Sequence, residues 1–117
     1  MKTKIYLGLL LCILTTYGCE KFDPPSISNP DIGDITINDS IDFLIEFNAE
    51  AGFNSSIVSA DNGIAVVKGE VGKGAVQGAN IITYTASSFP GIDYIYYTVK
   101  DNDGEQGSIK IEINVIE

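Results

Sequence analysis

Two cysteines, sixteen acids and six tyrosines are the residues of this 117-residue chain that could do chemistry. What is missing narrows them at once, because no histidine, tryptophan or arginine occurs. Without imidazole there is no Ser–His or Cys–His couple and no histidine metal ligand. Without guanidinium there is no bidentate grip on phosphate, and a net charge of −9 repels nucleic acid and anionic headgroups. Acid pairs exist, yet no cluster of carboxylates at one mouth can be inferred from their spacing alone. The expectation is a chain that is not an enzyme, holds no cofactor and takes no nucleic acid.

Three stretches come closest to a binding site. Asp101-Asn102-Asp103-Gly104-Glu105 offers Asp101, Asp103 and Glu105 as calcium ligands. An EF-hand, however, needs glycine sixth and glutamate twelfth, and here Gly104 is fourth and Glu112 falls inside a strand pattern. A solvated hairpin turn is the reading kept, with no metal. Residues 69–78 are glycine-rich but lack both the phosphate-loop pattern and a following helix, so they form a flexible hairpin. Tyr94 and Tyr96 alternate with Ile95, Tyr97 and Val99, which puts them on the opposite face of one strand. There they can contact a protein or glycan ligand, or pack across strands.

The elements that must carry these residues follow a period of two. Ile41, Phe43, Ile45 and Phe47 alternate with Asp42, Leu44 and Glu46; Ile109, Ile111, Ile113 and Val115 alternate with Lys110, Glu112 and Asn114. Shorter strands are predicted near Asp34–Ile37, Phe53–Ser59, Ile64–Lys68, Ala75–Gln77 and Ile81–Thr85, with a long one at Asp93–Lys100. Asn38-Asp39-Ser40, Asp61-Asn62-Gly63, Pro90-Gly91 and Asp103-Gly104 punctuate them as turns. No stretch sustains a helical spacing of apolar residues. The fold class is therefore all-β, a sandwich of about seven strands over residues 34–117. Before it, residues 20–33 hold Pro24, Pro25 and Pro30, which favour an extended spacer reaching up to ~40 Å at ~3.1 Å per residue.

The first nineteen residues give an address. Lys2 and Lys4 precede an apolar run from Ile5 to Leu14, too short for a bilayer of ~30 Å but suited to a secretory signal. It ends in Leu14-Thr15-Thr16-Tyr17-Gly18-Cys19, which resembles the lipobox of bacterial lipoproteins in the looser Bacteroidetes form. That resemblance implies cleavage after Gly18, lipidation of Cys19 and a tether over residues 19–33. Cys12 leaves with the signal (residues 1–18), so Cys19 has no disulfide partner, and acylation removes an otherwise exposed thiol. Two acyl chains give stable membrane anchoring. The mature chain keeps five lysines against sixteen acids. Glu20-Lys21-Phe22-Asp23 resembles the acid-and-lysine export signal of surface lipoproteins, implying an outer-membrane anchor at the cell surface. The other reading is a solvated tether facing the periplasm.

Residues 80–116 carry a second resemblance. Asn80-Ile81-Ile82-Thr83-Tyr84-Thr85, Gly91-Ile92-Asp93, Tyr97-Thr98-Val99-Lys100-Asp101 and Asp103-Gly104 resemble the closing half of bacterial Ig-like and cadherin-like domains. This implies an Ig-like sandwich in which Tyr97 acts as a tyrosine corner, its hydroxyl tied to upstream backbone, and Asp93 fixes the corner by accepting backbone hydrogen bonds. Ig topology also brings Asn38-Asp39 and Asp93 to one end of the sandwich. Cadherin-like domains hold calcium largely between neighbouring domains. The function implied is a non-catalytic envelope module that binds or spaces; a carbohydrate-binding accessory of polysaccharide uptake and a structural subunit of a surface assembly are the other readings.

Overall fold

Alternating β-branched and polar residues pair into eight strands in the computed structural model, which describes residues 22–117 apart from residue 73. They are β1 (Ser26–Ile27), β2 (Asp34–Thr36), β3 (Ser40–Asn48), β4 (Phe53–Ala60), β5 (Ile64–Val71), β6 (Gln77–Thr85), β7 (Gly91–Asp101) and β8 (Gln106–Ile116). The signal, the lipobox with Cys19 and the start of the tether lie outside the described residues.

Two four-stranded sheets result, ordered β1-β3-β6-β5 and β2-β8-β7-β4. Only β2, running with β8, is parallel to its neighbour. The chain crosses between sheets where β4 passes to β5 through Asp61-Asn62-Gly63. This is the ABED/GFC order of an immunoglobulin-type sandwich, with the first strand split between the two sheets as β1 and β2. The fold is Ig-like.

Inside, Ile45, Phe47, Ile82 and Tyr84 of one sheet meet Ile95, Tyr97, Val99, Ile111, Ile113 and Val115 of the other. The inward sets of β3, β7 and β8 are those the alternation names. No disulfide or tryptophan is present in this core, so burial of aliphatic side chains and of Phe47, Phe53, Tyr84 and Tyr97, at ~25 cal/mol per Å² of apolar surface, supplies its cohesion.

Two stretches differ from the sequence expectation. Ala75–Gln77 is not a separate strand. The backbones of Ala75 and Val76 accept from Phe53 and Ala49, and Ala75 donates to Gly72, which fixes them as a loop; the strand begins at Gln77. The second difference is β1. Part of the expected spacer is folded onto the sandwich, with Ser26 opposite Asn48 and the Ser28 amide donating to the Glu46 carbonyl at 2.9 Å. Prolines around it are tolerated because β1 is an edge strand.

Gly107 makes that docking possible. A Cβ there would lie 2.1 Å from the Pro25 carbonyl oxygen, far inside contact distance. We therefore expect Gly107→Ala to push the entering chain off the sandwich at a cost of about 1–2 kcal/mol, within the range for overpacking. Hydrogen exchange should report faster exchange at Ser28, with β6 and β7 unchanged. Protection at Ser28 as in the wild type would show that the segment sits there for another reason.

Candidate functional site

β7 is the strand on which the candidate residues meet, and its two faces are sharply different. Asp93, Ile95, Tyr97, Val99 and Asp101 are buried, while the side chains between them reach solvent to varying degrees.

On the inner face, Asp93 is only 2% exposed. Its Oδ1 accepts from the amides of Asn62 and Tyr94, both at 2.9 Å; Oδ2 accepts from the Gly63 amide at 2.8 Å and the Tyr84 hydroxyl at 2.6 Å. Burial alone would raise the carboxyl pKa, but the four donors together hold it below the usual aspartate value. Burial and the same carboxylate push the Tyr84 phenol up, so it remains a donor. One carboxylate thus ties the β4–β5 crossover to β6 and β7. Gly63 is needed at this place, since a Cβ would come within 2.8 Å of the Tyr84 hydroxyl and 2.4 Å of the Thr85 carbonyl.

The Tyr97 hydroxyl does not tie back to backbone. It donates to Oδ1 of Asn80, a fully buried side chain on the facing sheet. The Asn80 amide in turn donates to the Gly69 carbonyl at 3.2 Å, where β5 has a bulge. The corner is thus bridged by a side chain from the facing sheet. Burial raises the Tyr97 pKa, which keeps the hydroxyl protonated.

Sequence reasoning did not assign Asn80 and Tyr84 these roles. The signal was there: they flank Ile82 at a spacing of two on the inward side of β6, polar groups on an otherwise apolar face. A buried polar group needs a partner, and Tyr97 and Asp93 are the partners.

The acidic turn is not solvated throughout. Asp101 is 1% exposed, and its Oδ1 accepts from the amides of Asp103 and Glu105, both at 2.9 Å. This closes the β7–β8 hairpin as an Asx-type turn. Among the described residues no three His, Cys, Asp or Glu side chains are grouped so as to hold a metal ion. Asn38 and Asp39 sit in the β2–β3 turn, where their backbones bond to Ser87, Thr36 and Ala86.

The outer face carries the accessible chemistry. Tyr94 lies opposite Glu112 and Tyr96 opposite Lys110. The Lys110 ammonium sits 4.2 Å from the centre of the Tyr94 ring and 5.9 Å from that of Tyr96. Such contacts contribute about 0.5–1 kcal/mol at exposed sites and bias the rings, Tyr94 above all, toward the ammonium. The Tyr96 hydroxyl donates to Asp61 at 3.0 Å, which raises its pKa and keeps it neutral. Three lysines are described, and Lys100 and Lys110 both belong to this face. An acidic molecule therefore presents here a pair of phenols around a cation. At the end of the sandwich beyond Tyr94, a cleft of about 350 Å³ lies between Asp61, Ile92 and the exposed Phe89.

No family model matches the chain, and no curated protein matches it. Among solved structures, a mutant of the SrpA adhesin from Streptococcus sanguinis matches with a TM-score of 0.57 and 12% identity. The match covers 80% of this chain and 55% of the adhesin chain, so this chain spans about half of that one. At that identity the likeness is one of fold.

Proposed function

We propose that this chain is a non-catalytic, lipid-anchored module of the outer membrane that binds a protein or glycan through the outer face of β7 and β8. The arrangement of Tyr94, Lys110 and Tyr96 carries the reading. Two aromatic rings drawn to a shared cation form a contact surface whose ordering cost is partly met before a ligand arrives. Lys110 makes it locally less acidic than the chain as a whole, which suits a neutral polar ligand. The likeness to an adhesin in fold is compatible with a surface binding role, and the absence of tryptophan and histidine in the chain leaves contact as its main resource.

The chain direction supports the placement. The N-terminal segment joins the sandwich beside Asn48 and Gly107, at the end that holds the β7–β8 turn. With a lipid on Cys19, that end faces the membrane. Tyr94 then lies in the membrane-distal half of β7 and Tyr96 at its midpoint. Mass spectrometry of the mature N-terminus should show a diacylglyceryl adduct on Cys19, and Cys19→Ala should release the protein from the membrane fraction. A mature chain beginning elsewhere would remove the anchor from this account.

The binding face is tested by capture of partners from the native envelope. Tyr94→Ala/Tyr96→Ala should lose most of the material held by the wild type while keeping a β-rich circular dichroism spectrum. The same partners at the same yield would mean that this face is not the binding surface. Turnover of a glycan, peptide or ester by pure protein, abolished by one acidic substitution, would overturn the non-catalytic reading.

A further inference from the structure

Each sheet of a sandwich ends in two edge strands whose outward backbone groups can pair with another chain, and soluble proteins usually blunt them. Three of the four edges here are blunted. β1 has two residues and β2 three; β5 is interrupted by a bulge after Val67 and carries Lys68 and Glu70. β4 is different. It is an eight-residue edge strand without a charged side chain or a proline; its own bulge lies at its start, between Phe53 and Ser55, and Ile57 in the regular part beyond it is 70% exposed. The Phe53 backbone is engaged by Gly74 and Ala75. From Ser55 to Ala60 the strand pairs only with β7 among the described residues.

We infer that β4 is a self-pairing edge, and that two copies of this chain join through it as an antiparallel pair centred on Ile57. The sequence around Ile57 is suited to a second copy. With Ile57 opposite Ile57, Ser55 falls opposite Ser59 of the second copy and Ser59 opposite its Ser55. Two serine pairs able to share hydrogen bonds then flank an apolar pair. No like charges oppose one another along the strand, despite a net charge of −9 per chain. Charge complementarity appears at the ends. Lys100, on β7 and so one strand in from the edge, is the cross-strand neighbour of Ser55, and Asp61, which also accepts from Tyr96, follows directly after β4. This register brings Lys100 of each copy to the same end and face as Asp61 of the second copy, twice by symmetry.

The symmetry axis stands normal to the sheet, so the joined eight-stranded sheet presents both sets of Tyr94, Lys110 and Tyr96 on one side. The pairing does not depend on what that face binds, and it makes the face bivalent. A single strand-to-strand contact is small beside standard interfaces, so the association is weak in solution and gains from tethering at a surface.

The test is cross-linking of the full chain in its native envelope under mild oxidation. Directly opposed residues of an antiparallel pair are within disulfide reach. Ile57→Cys should give a reductant-sensitive dimer of this chain that neither the parent chain nor Val66→Cys, at an exposed position on β5, produces. Ile57→Lys should lower the dimer fraction that the detergent-solubilised wild type reaches at high concentration, read by sedimentation, with the melting temperature unchanged. No disulfide dimer at position 57, or equal dimer at position 66, overturns the inference. So does a mixed disulfide with a different protein in place of the dimer, an outcome that would assign the edge to another partner.

Discussion

Asp93→Asn should lower the melting temperature by roughly 15–25 °C, since each kcal/mol shifts a domain of this size by about 4–8 °C. The side chain is isosteric, so nothing is lost in packing. What changes is donor and acceptor matching. The carboxylate takes two donors on each oxygen: the Asn62 and Tyr94 amides on Oδ1, the Gly63 amide and Tyr84 hydroxyl on Oδ2. An amide has one accepting oxygen, so either orientation sets an NH₂ against at least one backbone N–H. Tyr84 can rotate its hydroxyl and accept; a backbone amide cannot. Losing about two charge-assisted bonds, each at the lower end of the ~1.5–3 kcal/mol range because the amide oxygen still accepts on one side, gives a cost of about 3–4 kcal/mol.

The same carboxylate sets a pH dependence. Its folded pKa lies below the ordinary value of 3.8, so its contribution is fully present above that value. The contribution is lost as pH falls through the folded pKa. The wild type should lose stability below about pH 4, and the Asn variant should lack that component of the loss. Melting of Asp93→Asn within a few degrees of the wild type at neutral pH would show that the crossover is held by something else.

Much of this arrangement was legible in the sequence, for a physical reason. Strands half-buried against a core must alternate, and β3, β7 and β8 are long enough to show it. Asp93 was legible as a backbone acceptor only through the resemblance to Ig-like domains, whose topology sets it at the corner. What could not be read depends on contacts between distant segments. β1 exists because Gly107, some eighty residues away, leaves room for Pro25, and no local pattern encodes that gap. Asn80 and Tyr84 acquire their roles only when the facing sheet brings Tyr97 and Asp93 against them. The bulge in β5 is likewise hidden, since the carbonyl it frees is recognised by a side chain on another strand. On the outer face, the alternation separated Tyr94 and Tyr96 from the core, but Lys110 came between them only through the β7–β8 register.

Everything proposed for β7 rests on that division of faces: Tyr97 inward as part of the fold, Tyr96 outward as part of a contact surface. Tyr97→Phe keeps the ring and removes one oxygen, leaving the Asn80 carbonyl oxygen in the core without the donor it has in the wild type. The expected loss is about 1–3 kcal/mol for a buried acceptor left unpaired. Tyr96→Phe removes a hydroxyl whose partner, Asp61, is exposed and can turn to water instead. The most direct measurement is denaturant unfolding of these two variants beside the wild type under one condition. A lowered midpoint for Tyr97→Phe, with Tyr96→Phe close to the wild type and unchanged slopes, is the result predicted here. Equal losses at the two positions, or a larger one at Tyr96, would contradict it and reverse the faces of the strand.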